Sequence, residues 1–212
     1  METDKRIVNA MAELLRVQGY AATGIQQLAR AAKAPTGSIY HHFRGGKREV
    51  AAAALRQTGA VYIQVLPMLL DEHADLATGV EAAFAAAAED IENTGWANMC
   101  PVGTVTGEIA DTEPELREVA AEVLTSWVEE GTRYLAGRGL SGTDARALTY
   151  ALISALEGAF ILARGQRSTE PLLAAGRAMA AYTATLPAGA SPSSGEKVGP
   201  SGADFGEGVG GF

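Results

Sequence analysis

The chain has 212 residues, 47% of them hydrophobic and 20% charged, enough to bury a sizeable core in one or two compact domains. Its single cysteine, Cys100, excludes an internal disulfide pair and a cysteine-rich zinc site, and suits a reducing cytoplasm. The net charge of −8 is unevenly placed: residues 1–50 carry eight Lys or Arg against four Asp or Glu, and the remainder carries nine against 21. A basic head on an acidic body is what a DNA-docking domain with a separate sensing body requires, because the body then repels DNA and leaves binding to the head.

Glu2, Asp4, Lys5 and Arg6 precede an amphipathic run and not an apolar core, so the N-terminus does not read as a secretory signal. The first helix is expected over residues 4–18, with Ile7, Met11, Leu14 and Leu15 on one face. Gly19 followed by Tyr20 fits a C-terminal stop that turns the chain back on itself. In the next segment Ile25, Leu28, Ala29 and Ala32 recur at helical spacing, with Gln26, Gln27, Arg30 and Lys33 opposite. Pro35 then disfavours an α conformation at Ala34, while its fixed φ suits the first position of a new helix. That helix, Thr36 to Phe43, sets Ile39 and Phe43 on one side and leaves Thr36, Ser38, Tyr40 and His41 for another.

Two short helices across one tight break form a helix-turn-helix, whose second helix enters the DNA major groove. Thr36 and Gly37 lie where backbone N–H groups are free for a phosphate, and Ser38, Tyr40 and His41 reach phosphates or base edges. Lys47, after the Gly45-Gly46 turn, supplies a cation to the DNA backbone. The bland alternative is an ordinary helical hairpin with Tyr40 and Phe43 as core.

The succession Gly19-Tyr20, Thr23, Ile25, Leu28-Ala29, Ala31-Ala32, Gly37-Ser38, Tyr40, His42-Phe43 and Lys47 resembles the N-terminal domain of TetR-family bacterial transcriptional repressors. The resemblance covers residues 4–55 and includes the family's Gly-x-x-Tyr-x-x-Phe pattern, present as Gly37 to Phe43. Gly24 stands where the family more often has Ser or Thr, and Arg44-Gly45-Gly46 is one residue longer than the commoner spacing. Both features resemble the LmrA/YxaF-like subgroup. The resemblance implies an all-α fold of about nine helices: a DNA-binding head over residues 1–46 and a ligand-binding and dimerisation body over 47–186, which leaves a tail over 187–212 set off by its composition. The DNA-contacting residues it implies are Thr23, Lys33, Thr36, Gly37, Ser38, Tyr40, His41, His42 and Lys47.

From Gly46 a long helix is expected to run to Leu70, bent or ended by Pro67, and by resemblance it links head to body. Residues 74–93 form a further helix, broken at Asn93-Thr94-Gly95. Trp96 to Val102 groups an aromatic, a thioether and a thiol beside Pro101, and Cys100-Pro101-Val102 with Glu108 again resembles the LmrA/YxaF-like subgroup. Thr112-Glu113-Pro114-Glu115 opens a helix to Gly137 with a capping residue and acids in its first turn. A helix is expected over residues 144–164, apolar nearly all round from Leu148 to Ala163, and with 171–186 it resembles the dimer interface of the family. The stretch Ala147 to Ala163 contains Glu157, falls short of a membrane span and reads as a buried helix. Residues 187–212 hold eight Gly, three Pro and four Ser among 26, a composition expected to be disordered.

An effector pocket in the body would be lined by Phe84, Trp96, Met99, Cys100, Trp127 and Phe160, with Glu108 or Glu157 as polar anchors. For each aromatic alone, core packing is the commoner role. Glu157 differs, since a carboxylate on an apolar helix must be paired, protonated or facing a polar cavity.

An enzyme is disfavoured. The histidines lie away from Cys100, no acid completes a compact arrangement, and neither a phosphate-binding loop nor a dinucleotide fingerprint is present. Adjacent His41 and His42 point about 100° apart on a helix and share no metal easily. No cofactor, metal or membrane partner is expected. The expected partners are double-stranded operator DNA, a small-molecule effector and a second copy of the chain. The rival reading is a helical dimeric scaffold, or a small-molecule-binding protein, without specific DNA affinity.

Overall fold

The computed structural model describes residues 2–109 and 112–187. Among them are nine helices and no strand: α1 (Thr3–Gln18), α2 (Ile25–Ala31), α3 (Thr36–His42), α4 (Lys47–Leu70), α5 (Leu76–Asn93), α6 (Pro101–Ile109), α7 (Pro114–Gly137), α8 (Gly142–Gln166) and α9 (Glu170–Thr185). The fold is all-α, with a three-helix helix-turn-helix head at its N-terminus.

Each boundary has a local cause. Gly19 ends α1 at φ +80°, a region open to glycine, and its N–H donates to the Leu15 carbonyl. Between α2 and α3 the chain passes through Lys33 at φ +51°, and the Ala34 N–H closes back on the Ala29 carbonyl at 3.0 Å. Pro35 sits one position earlier than the sequence suggests. It is the residue before α3, extended at ψ 147°, and its carbonyl accepts the Ser38 N–H at 2.9 Å. Asp75 caps α5 by accepting the Thr78 N–H at 2.8 Å, and Ser141 caps α8 by accepting from Asp144 at 3.1 Å.

Two buried clusters organise the packing. The first joins α1, α2 and α3 to the first half of α4 and to the inner faces of α6 and α7, through Ile7, Met11, Leu15, Leu28, Ile39, Val102, Val105 and Leu116. The second gathers the end of α4 with α5, α8, α9 and the end of α7, around Leu70, Phe84, Ile91, Leu135, Leu148 and Leu172. The head therefore rests on α6 and α7 as well as on α4.

Four expectations change. Pro67 does not end α4, which continues to Leu70. It lies in the last turn, where a missing N–H costs one hydrogen bond and no following ladder. Residues 101–109, assigned to no element from the sequence, form α6 with Pro101 at its first position, where proline needs no N–H partner. Thr112 does not cap α7, because its hydroxyl donates to the Ile109 carbonyl at the end of α6, 2.7 Å away. Finally, α8 is not a buried helix. It is long and apolar enough to cross a membrane by length and composition, yet only 22% of that apolar stretch is covered by the rest of the chain. The expectation of disorder after Pro187 concerns residues outside those described.

Candidate functional site

The head presents α3 by burying the opposite side of it. Ile39 is fully buried and Phe43 packs at the edge of the same cluster. Tyr40 is 50% exposed, with Gly37, His41 and His42 also open to solvent and Thr36 and Ser38 half-buried. Lys33 stands exposed at the turn before α3. The hairpin alternative, with Tyr40 in a core, does not describe this head.

Two expected DNA-binding residues stand apart from that group. Thr23 is 1% exposed. Its hydroxyl donates to the Gly19 carbonyl at 2.7 Å and accepts from Gln18 Nε2 at 3.2 Å, so it ties the loop between α1 and α2. Lys47 opens α4 with its Nζ 3.9 Å from the centre of the Tyr20 ring. Burial lowers the pKa of that ammonium, against the opposing pull of Glu113 and Glu108.

Tyr20 is itself held by the body. Its hydroxyl donates to Glu113 Oε1 at 3.3 Å, and burial together with the Glu113 charge pushes its pKa up to about 12. Its backbone N–H donates to Glu108 Oε2 at 2.7 Å, and the Ala21 N–H donates to the same oxygen at 2.9 Å. Glu108 is thus not beside the expected pocket residues; it faces the head.

The remaining expected ligand residues divide between the two clusters. Cys100 and Trp127 belong to the first; Phe84, Trp96 and Phe160 belong to the second. Met99, 9% exposed, precedes Cys100. Glu157 joins the cysteine: the Cys100 thiol donates to its carboxylate, and the Gly103 N–H donates to Cys100 Sγ at 3.3 Å. Contact is close enough that a Cβ on Gly103 would come 2.2 Å from Glu157 Oε2. Burial raises the Glu157 pKa against that hydrogen bond, while burial and the Glu157 charge push the Cys100 thiol well up. A thiol so placed is a poor nucleophile.

Tyr62, on α4, escapes a sequence reading. Its ring stacks on Trp127 at 5.8 Å between centroids and 19° between planes, and Trp127 Nε1 donates to the Gly59 carbonyl at 2.9 Å. Burial, then the nearby Cys100, raise the Tyr62 pKa to about 12. Trp127, Cys100 and Glu157 each stand out in the sequence; Tyr62 sits within a run of Val and Ile that gives no such signal. Two surface hollows, of about 550 and 410 Å³, run along α7 and between α4 and α7, and none of the eight expected ligand residues lines either.

A helix-turn-helix with its second helix turned to solvent, accompanied by seven further helices among the described residues, is the architecture of a DNA-binding transcriptional regulator. The chain matches the family model of bacterial regulatory proteins of the tetR family over residues 7–54. Over residues 77–178 it matches the model of the C-terminal domain of LmrA/YxaF-like transcriptional regulators. It is 30% identical over 172 residues to the uncharacterized HTH-type transcriptional regulator YxaF of Bacillus subtilis, covering 81% of this chain and 90% of that one. It is 28% identical over 178 residues to the HTH-type transcriptional regulator LmrA of the same organism, covering 81% and 92%. Among solved structures, a TetR transcriptional regulator from Chloroflexus aurantiacus superposes with a TM-score of 0.70 at 28% identity, covering 87% of this chain and 96% of that one. A regulatory protein TetR from Rhodobacter sphaeroides, at 24% identity, shares the fold with a TM-score of 0.73 over 84% and 97% of the two chains. The chain belongs to the TetR family of transcriptional regulators, in its LmrA/YxaF-like branch. That is a family of regulators and not of enzymes.

Proposed function

We propose that the protein is a ligand-responsive repressor, acting in the cytoplasm, that binds a palindromic operator as a homodimer and leaves it when a small-molecule effector binds the body. The observation that carries this reading is α3: Gly37, Tyr40, His41 and His42 face solvent while Ile39 anchors the helix beneath them. With Lys33, Thr36, Ser38 and Lys47 they supply phosphate and base contacts. Dimerisation through α8 and α9 sets two heads against two half-sites. The Cys100–Glu157 pair with Tyr62 and Trp127 is the part of the body best suited to an effector, since it places a carboxyl group beside stacked aromatic rings. By likeness to the LmrA/YxaF-like subgroup, the controlled gene is one of efflux or detoxification.

Fluorescence anisotropy on DNA from upstream of the protein's own gene, against scrambled DNA and across a salt series, tests this. Tight binding to the first alone, weakening as salt rises, is expected. Tyr40→Ala should weaken it by about tenfold, the cost of one base-edge or phosphate contact of roughly 1–3 kcal/mol, with the dimer intact. Failure of any genomic fragment to bind specifically would move the assignment to a helical scaffold. Loss of the dimer in Tyr40→Ala would return Tyr40 to a packing role. Effector and operator must also weaken each other by the same factor.

A further inference from the structure

The body grips the C-terminal end of α1 at three places that do not lie on α4. From α8, Arg164 Nη2 donates to the Val17 carbonyl at 2.9 Å. From the segment between α5 and α6, Asn98 Oδ1 accepts from Arg16 Nη1 at 2.5 Å. From α6, Glu108 covers Gly19 so closely that a Cβ there would come 1.7 Å from Glu108 Oε1, and its other oxygen takes the N–H groups of Tyr20 and Ala21.

The third grip leads onward to the DNA-facing surface. Tyr20, whose backbone Glu108 holds and whose hydroxyl Glu113 holds, seats the Lys47 ammonium on its ring. Lys47 follows Gly46, which sits at φ +62° under the Tyr40 ring; a Cβ on it would come 3.0 Å from Tyr40 Cε1. A continuous set of contacts therefore runs from α6 through Glu108, Tyr20, Lys47 and Gly46 to Tyr40 on α3. At its opposite end α6 begins beside Cys100 and carries Gly103, on which Glu157 of α8 is packed. Nine residues of helix span about 13 Å and move as one piece, so a shift of Glu157 against Gly103 displaces Glu108 at the other end. A carboxylate shared by two N–H donors is directional and charge-assisted. Exposed as it is, Glu108 makes or breaks that contact without opening the core, which is what a two-state link needs.

We infer that Glu108 is a positioning residue that couples the state of the body to the DNA-binding head through the Tyr20–Lys47 contact, by a route separate from α4. This rests on the proposed reading of the protein as a DNA-binding regulator.

The test is hydrogen–deuterium exchange on the full chain, free and saturated with a duplex that the protein itself selects from a random-sequence pool. In the parent protein, DNA should protect α3 and change exchange over residues 100–109, which touch no DNA, by about fivefold or more, the lower end of two-site coupling. In Glu108→Ala the protection of α3 should remain and the change at 100–109 fall below about twofold, within what uncoupled sites show. Glu108→Lys, which faces the same N–H donors with the wrong charge, should give the same loss and stands in should the alanine variant fail to fold. Glu108→Gln keeps an acceptor oxygen at the same reach and should restore most of the response. A response at 100–109 that persists in Glu108→Ala or Glu108→Lys, or that the parent lacks while α3 is protected, overturns the inference. Absence of protection at α3 in the parent with every duplex overturns the DNA-binding reading itself, and the inference with it.

Discussion

At Glu157 two effects on one carboxyl group oppose each other. Burial disfavours its charge, the Cys100 thiol that donates to it favours the charge, and burial wins, so the folded pKa lies above the ordinary 4.5. Below that ordinary value the group is protonated in both folded and unfolded chains and costs nothing. As the pH rises from that value through the raised folded value, the unfolded chain ionises while the folded group still holds its proton, so stability is lost until the folded group ionises too. Glu157→Gln should therefore match the parent below pH 4.5 and become more stable than it as the pH rises above that value, the gain levelling off once the folded carboxyl is ionised. Urea midpoints of the two proteins across that range would show it, and a difference independent of pH would mean that Glu157 acts by shape and not by charge. The sequence marks Glu157 as a carboxylate out of place on an apolar helix and marks Cys100 as one of an unusual group. It does not bring them together, because Glu157 lies on α8 and Cys100 just before α6, and Glu157 packs there where Gly103 lacks a side chain.

The turn between α2 and α3 shows how far one element can be judged from its own residues. The break at Ala34-Pro35 is local chemistry and is legible. That Lys33 takes up the left-handed conformation, at φ +51°, is not, because glycine is the usual residue there. A left-handed lysine costs about 1 kcal/mol, partly offset in a glycine variant by greater unfolded-state freedom. Lys33→Gly should thus raise stability by up to about 1 kcal/mol, visible as a higher urea midpoint. If Lys33 meets a phosphate, the same variant should bind operator more weakly with a salt slope smaller by about one. A lowered midpoint with an unchanged slope would make Lys33 a packing residue. The helix α6 escaped the sequence reading for the opposite reason: Pro101, Gly103 and Gly107 are poor helix formers. It is held by Val102, Val105 and Ile109, which bury fully against the head and α7.

For the molecule as a whole the informative surface is the one left bare. On α8, Ile161 is 62% and Leu162 54% exposed, Tyr150 is 50% exposed, and Tyr182 of α9 is 38% exposed. An apolar surface of this kind fits the proposed self-association, for which a stable interface needs about 800 Å² from each partner. Ile161→Glu should yield a monomer in light scattering while helix content and melting stay close to the parent's. It should also lower operator affinity by at least about 100-fold, since the second head is then no longer delivered at high local concentration. A dimer that survives the substitution would place the interface elsewhere.

The sequence by itself determined the all-α class, the helix-turn-helix and its family, because these rest on spacing, on Gly19 and Pro35, and on a pattern of residues within a single short stretch. It also located most helix ends, which depend on caps and breakers a few residues away. What only the tertiary structure decided is where the lone polar groups point. Glu108 was an anchor for a ligand in the sequence and is a bridge to Tyr20 and Ala21 in the fold. Thr23 was a DNA contact and is a buried loop tie; α8 was a buried helix and has an open face. Each of these depends on which helix packs beside it, and that is set by burial and close approach summed over the whole chain, from Ile7 to Leu172.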